Sequence, residues 1–123
     1  MKIQQILQKC LTDWKNISQI DFCLLDSDNH IFLSTCDKKL PAESKLEEFR
    51  QSSALCVSNT SCYLYKIMEN HSISYILIVW GKAESTATIG ELAVCQVQSL
   101  LAAYAEKSDK NTFMQNLLLG VTG

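Results

Sequence analysis

The chain has 123 residues, one domain's worth, and is long enough to bury a core without disulfides or a metal. Hydrophobic residues make up 47% and charged residues 20%, the balance of a folded globular unit rather than a disordered tail. The formal net charge is −2 and Arg50 is the only arginine, which argues against direct contact with nucleic acid, since gripping a phosphate backbone needs clustered Lys and Arg.

Residues 3–18 set Ile3, Ile6, Leu7, Cys10, Leu11 and Trp14 at helical spacing with Gln, Lys and Asp opposite, and predict a first helix. The period then changes. Ile20–Leu25 reads as a strand, Asp26-Ser27-Asp28-Asn29 as a turn and His30–Thr35 as the return strand of a hairpin. Pro41 opens a second helix, at a position where its missing N–H costs nothing. Glu43, Glu47 and Glu48 early and Arg50 late suit that helix's dipole, and Leu46 and Phe49 share a stripe.

Leu55–Val57 is a short strand, and Ser58 to Ser61 a loop. In the next strand, Cys62–Met68, the alternation places Tyr63, Tyr65 and Ile67 on one face and Leu64, Lys66 and Met68 on the other. After a turn at Glu69 to Ser72, Ile73–Trp80 is almost continuously apolar, which predicts a central strand covered on both faces. From about Thr86 to Glu106 the pattern is helical: Ile89, Ala93, Val97, Leu100 and Tyr104 form a stripe that Leu92 and Cys95 widen. A polar stretch from Glu106 to Asn111 then separates this helix from a last amphipathic segment, with Phe113, Leu117 and Val121 at four-residue steps.

The order α-β-β-α-β-β-β-α predicts an α+β fold, a five-stranded antiparallel sheet whose N- and C-terminal helices share one sheet face because both carry apolar stripes. That layout resembles PAS and GAF sensor domains and the related roadblock and profilin-like folds. The tail "EKSDKNTFMQNLLLG", Glu106 to Gly120, resembles the segment that joins the N-terminal sensor to the rest of PucR-like and sugar-diacid-regulator-like transcription factors: Asp109, Lys110 and Asn111 lead to Phe113 and then to Gln115, Asn116, Leu117, Leu118 and Leu119. The remainder does not resemble the sugar-diacid recognition domain, and nothing matches the family's helix-turn-helix. The resemblance implies a sensor domain over 1–106 and an amphipathic connector over 107–123 leading to a module outside this chain. It implies a homodimer through Ile89, Val97, Leu100, Tyr104, Phe113 and Leu117, with DNA reached only through that further module.

By the same resemblance a small-molecule pocket belongs between the sheet and helix two. Tyr63, Tyr65 and Tyr75 would offer hydroxyls there, Arg50 a planar fork for a carboxylate or phosphate, and Cys56 a soft wall. For each of these the plain alternative is surface pairing or core packing. The six cysteines form no C-x-x-C pair, His30 and His71 have no patterned partner, and no phosphate loop, nucleophile elbow or zinc motif occurs. No metal, cofactor or catalytic role is expected. No apolar run approaches the roughly 20 residues that span a bilayer, and the N-terminus lacks a signal-peptide core, so a cytoplasmic chain is expected. The leading expectation is a ligand-sensing, dimerising domain of a bacterial-type transcription regulator. The alternatives are a ligand-free roadblock-like scaffold and the sensor of a kinase or cyclase.

Overall fold

The structure, a computed structural model, describes residues 2–59, 61–81 and 84–118, with side chains as far as Ala105. Helix α1, Ile3–Ser18, buries Leu7, Cys10 and Leu11 and stops at Gln19, whose left-handed φ of 62° lets its N–H donate to the Lys15 carbonyl. The hairpin β1 (Asp21–Leu25) and β2 (Ile31–Ser34) follows, its turn helped by Asn29 at φ 63°. Helix α2 spans Glu43–Gln51, beginning two residues past Pro41 because Ala42 holds the extended N-cap conformation. Strands β3 (Cys56–Ser58), β4 (Cys62–Glu69) and β5 (Ser72–Trp80) come next. Asn70 and His71 join β4 to β5 with both φ values positive, the geometry that matches the twist of a tight hairpin.

The sheet order is β2-β1-β5-β4-β3, and every pair is antiparallel. The apolar strand β5 is central and its Ile76–Trp80 stretch is buried, as its sequence predicts. Period-two alternation sends Phe22, Leu24, Tyr65, Ile67, Leu77 and Val79 to one face, where α1 and α3 cover them with Leu7, Leu11, Ala93 and Val97. The two helices are pinned to each other by Trp14 Nε1, which donates to Gln96 Oε1 at 2.7 Å. Cys23, Leu25, Leu64, Ile76, Ile78 and Trp80 face the other way, under Leu46 and Phe49 of α2.

Helix α3 runs without a break from Glu84 to Leu118. The expected interruption at the polar stretch is therefore absent. Residues 106–112 contain neither Pro nor Gly, so the i→i−4 ladder has nothing to break it, and polarity alone does not end a helix. No helix of the described residues is long and apolar enough to cross a membrane.

Candidate functional site: the cleft beneath α2 and the outer face of α3

Arg50 stands in the last turn of α2 and reaches back to the hairpin. Its Nε donates to Asn29 Oδ1 at 2.8 Å and Nη2 to the Asp26 carbonyl at 2.7 Å, while Asn29 Nδ2 donates to Glu47 Oε1 at 3.0 Å. The guanidinium thus latches the hairpin tip onto α2. Asp26 Oδ1 accepts the N–H groups of His30 (3.0 Å) and Asp28 (2.9 Å), which hold its carboxyl below the usual range. Oxygen and nitrogen atoms of Asp26, Asp28 and His30 lie within 4.8 Å of one another, but Asp26 is already engaged in closing the turn.

The three tyrosines are not with Arg50. Tyr63, Tyr65 and Tyr75 all lie on the α1/α3 face, opposite α2. The Tyr65 hydroxyl donates to the Ala87 carbonyl at 3.0 Å, and its ring sits against Gly90, where a Cβ would come within 2.5 Å of the hydroxyl and 2.7 Å of the ring. Burial pushes the Tyr65 phenol far above its ordinary range and raises that of Tyr75, which packs on Phe32 with centroids 5.2 Å apart. Tyr63 stacks on Tyr65. Cys56 is exposed on the edge strand beside Tyr65. The expected shared pocket of Arg50, the tyrosines and Cys56 is therefore not assembled. Alternation sorts side chains into two faces, but only the tertiary fold decides which face α2 takes. Burial also raises the thiols of Cys10, Cys56 and Cys62 and lifts Cys23 to about 11, leaving them protonated at neutral pH and poor nucleophiles.

The space beneath α2 is a cleft of about 220 Å³ between the C-terminal half of the helix and strands β3 and β4. Phe49, Val57 and Leu64 make its apolar floor, Ser52 and Ser58 its polar wall, and the exposed Lys45 and Glu48 stand at its mouth. Behind Ser52 and Phe49 lies Lys66, only 6% exposed. Its Nζ donates to the Ser52 carbonyl at the C-cap of α2 and sits 5.0 Å from the centroid of the Phe49 ring. Sequence reasoning placed Lys66 on the Leu64 face without marking it as a site residue. The available signal was a lysine at an inward position of a long strand.

The residues expected to form a dimer seam divide. Val97 is fully buried in the chain's own core, and Ile89 and Leu100 pack half-buried against that core. Their stripe serves the sheet, so it is not free for a partner. Leu92 and Cys95 do not widen it; they point outward, Leu92 51% exposed. Tyr104 is 41% exposed, and Phe113 and Leu117 lie on the helix with side chains outside the described residues. The outer face of α3 carries Thr88, Leu92, Cys95, Ser99 and Ala102, all exposed and uncharged, at alternating four- and three-residue steps. From Ser85 to Ala105 the sole charge is Glu91. No family model, curated protein or solved structure matches the chain.

Proposed function

We propose that the chain is a PAS/GAF-like sensory and dimerisation domain of a PucR-like transcription regulator, acting in the cytoplasm, and that α3 carries a ligand-driven change toward a DNA-binding module outside these residues. The observation that carries this reading is the outer face of α3, on which Glu91 is the sole charge between Ser85 and Ala105. A solvent-facing helix surface is normally charged, and a helix apolar all round is normally buried on both sides. The four-three spacing of Thr88, Leu92, Cys95, Ser99 and Ala102 is that of a helix–helix seam, and its small residues permit close approach.

Helix length supports the same role. The 35 residues of α3 span about 52 Å, whereas the longest strand, nine residues, spans about 30 Å. The helix outruns the sheet, and every residue from Ala102 to Ala105 is exposed. A second α3 lying parallel would cover this exposed turn and the outer face together. A ligand that favours one seating of α3 shifts the paired helices only by its differential affinity, typically about 1–3 kcal/mol.

Sedimentation of the chain and of Leu92→Glu tests the dimer. The expected result is a dimer for the native sequence and a monomer of unchanged secondary structure for the variant. A native chain that stays monomeric at high concentration overturns the reading. A second reading, a ligand-free scaffold like the roadblock domains, is favoured by one observation: Leu46, Phe49 and Trp80 fill most of the layer between α2 and the sheet. Under that reading the dimer persists and no metabolite raises the melting temperature.

A further inference from the structure

We propose that the open edge of β3 takes up an extended peptide as a sixth strand of the sheet, with an aliphatic side chain over the cleft beneath α2 and a basic side chain facing Glu91. The two edges of the sheet are finished differently. Along β2, Gln4 Nε2 of α1 donates to the outward Phe32 carbonyl at 3.0 Å and Gln8 Nε2 to the Ser34 carbonyl at 3.5 Å, so the helix occupies that edge. Along β3 the register decides which groups are left over. The Lys66 N–H donates to the Leu55 carbonyl at 3.0 Å and the Asn59 N–H to the Cys62 carbonyl at 2.7 Å, while Val57 pairs with Leu64. Residues 55, 57 and 59 therefore turn their backbone groups to β4, and alternation turns those of Cys56 and Ser58 outward. Among the described residues nothing bonds to the backbone N–H or C=O of either. Natural edges are commonly blunted by lysine, proline or a bulge. From Gln51 to Tyr65 this chain has no charged residue and no proline, and the β3–β4 pairing is regular.

Cys56 and Ser58 together offer two donors and two acceptors in line, and another extended backbone matches all four. A residue set directly opposite Val57 points to the same face as Val57. That is the α2 face, where Val57 lines the cleft with Phe49 and Leu64, so the central peptide residue is aliphatic. Its neighbours, opposite Cys56 and Ser58, point to the Tyr65 face. There the exposed Glu91 of α3 stands near enough to Cys56 and Tyr65 for its charge to raise both groups. A lysine or arginine opposite Cys56 complements it. In the antiparallel sense, which every pair of this sheet shares, that basic residue follows the aliphatic one. A second copy of the chain is the poorer occupant. The three residues of β3 are about 10 Å of edge, and strand pairing of that length between two folded chains falls well short of the roughly 1,200 Å² that a stable specific interface buries.

The test titrates isotope-labelled full chain with the peptide acetyl-Thr-Thr-Val-Lys-Thr-amide, following backbone amides by NMR. Saturable shifts are expected at Cys56, Val57 and Ser58 in the millimolar range, with slower hydrogen exchange at Cys56 and Ser58, whose N–H groups gain acceptors. N-methylation of the peptide's lysine and of the threonine before its valine blocks the two amides that face the edge, and should weaken binding at least about tenfold. Ser58→Pro removes an outward N–H that the β4 ladder does not use, and should abolish the response. Glu91→Gln should weaken binding about two- to fivefold, the worth of an exposed ion pair. No saturable shift, equal binding of the N-methylated peptide, a response that survives in Ser58→Pro, or shifts at Phe32 and Ser34 in place of β3 overturns the proposal. Unchanged affinity in Glu91→Gln overturns the preference for a basic residue. Shifts at the same amides on raising protein concentration without peptide give the edge to a second copy and overturn the peptide. If Ser58→Pro fails to fold, the N-methylated peptide on the native chain decides.

Discussion

The two faces of the sheet are built to different standards. Under α1 and α3 the packing is tight enough that Tyr65 occupies the space a Gly90 side chain would need, and the core cluster is apolar apart from the Tyr65 hydroxyl, which donates to a helix carbonyl, with the buried Thr86 near the start of α3. Under α2 a nine-residue helix covers the same strands incompletely, leaving a cleft and a lysine held by one carbonyl and one ring. A short helix cannot cover a five-stranded sheet, so the second face is where a small guest has room. The first face is a mount for α3.

This contrast can be broken at several points. The largest effect belongs to Phe22→Ala, which empties a fully buried site on the α1/α3 face and should cost about 3–5 kcal/mol in urea unfolding. Gly90→Ala comes next. An alanine in a helix normally gains about 1 kcal/mol over glycine, but here its methyl meets the Tyr65 ring, so a net loss of about 1–3 kcal/mol is expected. A gain would show that α3 is not seated as tightly as described. Arg50→Ala removes the latch between hairpin and α2 and should lower stability by about 1–2 kcal/mol, with faster amide exchange at Asn29 and His30. Unchanged exchange there would mean the latch is incidental.

The smallest effect concerns acid. Folding depresses the Asp26 pKa through the His30 and Asp28 N–H groups, so the stability this carboxylate lends is present above its unfolded value, near 4, and is lost as pH falls through the lower folded value. Asp26→Asn should lower stability modestly at neutral pH and flatten the stability profile in that acid window, where the native carboxylate loses its contribution anyway. An identical acid profile in the variant would count against the turn geometry.

How much of this was legible in advance depends on range. The alternation in β4 put Tyr63, Tyr65 and Ile67 together correctly, because period two is local, and the continuous apolar run of β5 marked the central strand. Which helix would meet which face is a long-range outcome, so the tyrosines were expected beside Arg50 and lie across the sheet from it. The Arg50–Asn29 contact joins residues 21 apart in sequence, and no periodicity announces it. On α3 the stripe through Val97 was visible, but one stripe serves one partner, and the chain's own sheet claimed it. The outer face showed itself only as missing charge, a weaker signal than the presence of Leu or Ile. Lys66 was legible as inward-facing, yet its contacts with the Ser52 carbonyl and the Phe49 ring needed the position of α2.

The anchoring of α3 at Gly90 and Tyr65 has a mechanical corollary. The stretch from Ala102 to Leu118 is about 25 Å of helix at 1.5 Å per residue. The Tyr65 mount at Gly90 lies about 42 Å of helix from that end, so a tilt of about 3° there would carry the far end through about 2 Å, roughly the scale of helix shifts that reset subunit contacts elsewhere. A displacement too slight to notice at the fulcrum becomes, at the tip, the width of a hydrogen atom's neighbourhood: enough to slide one knob out of its hole.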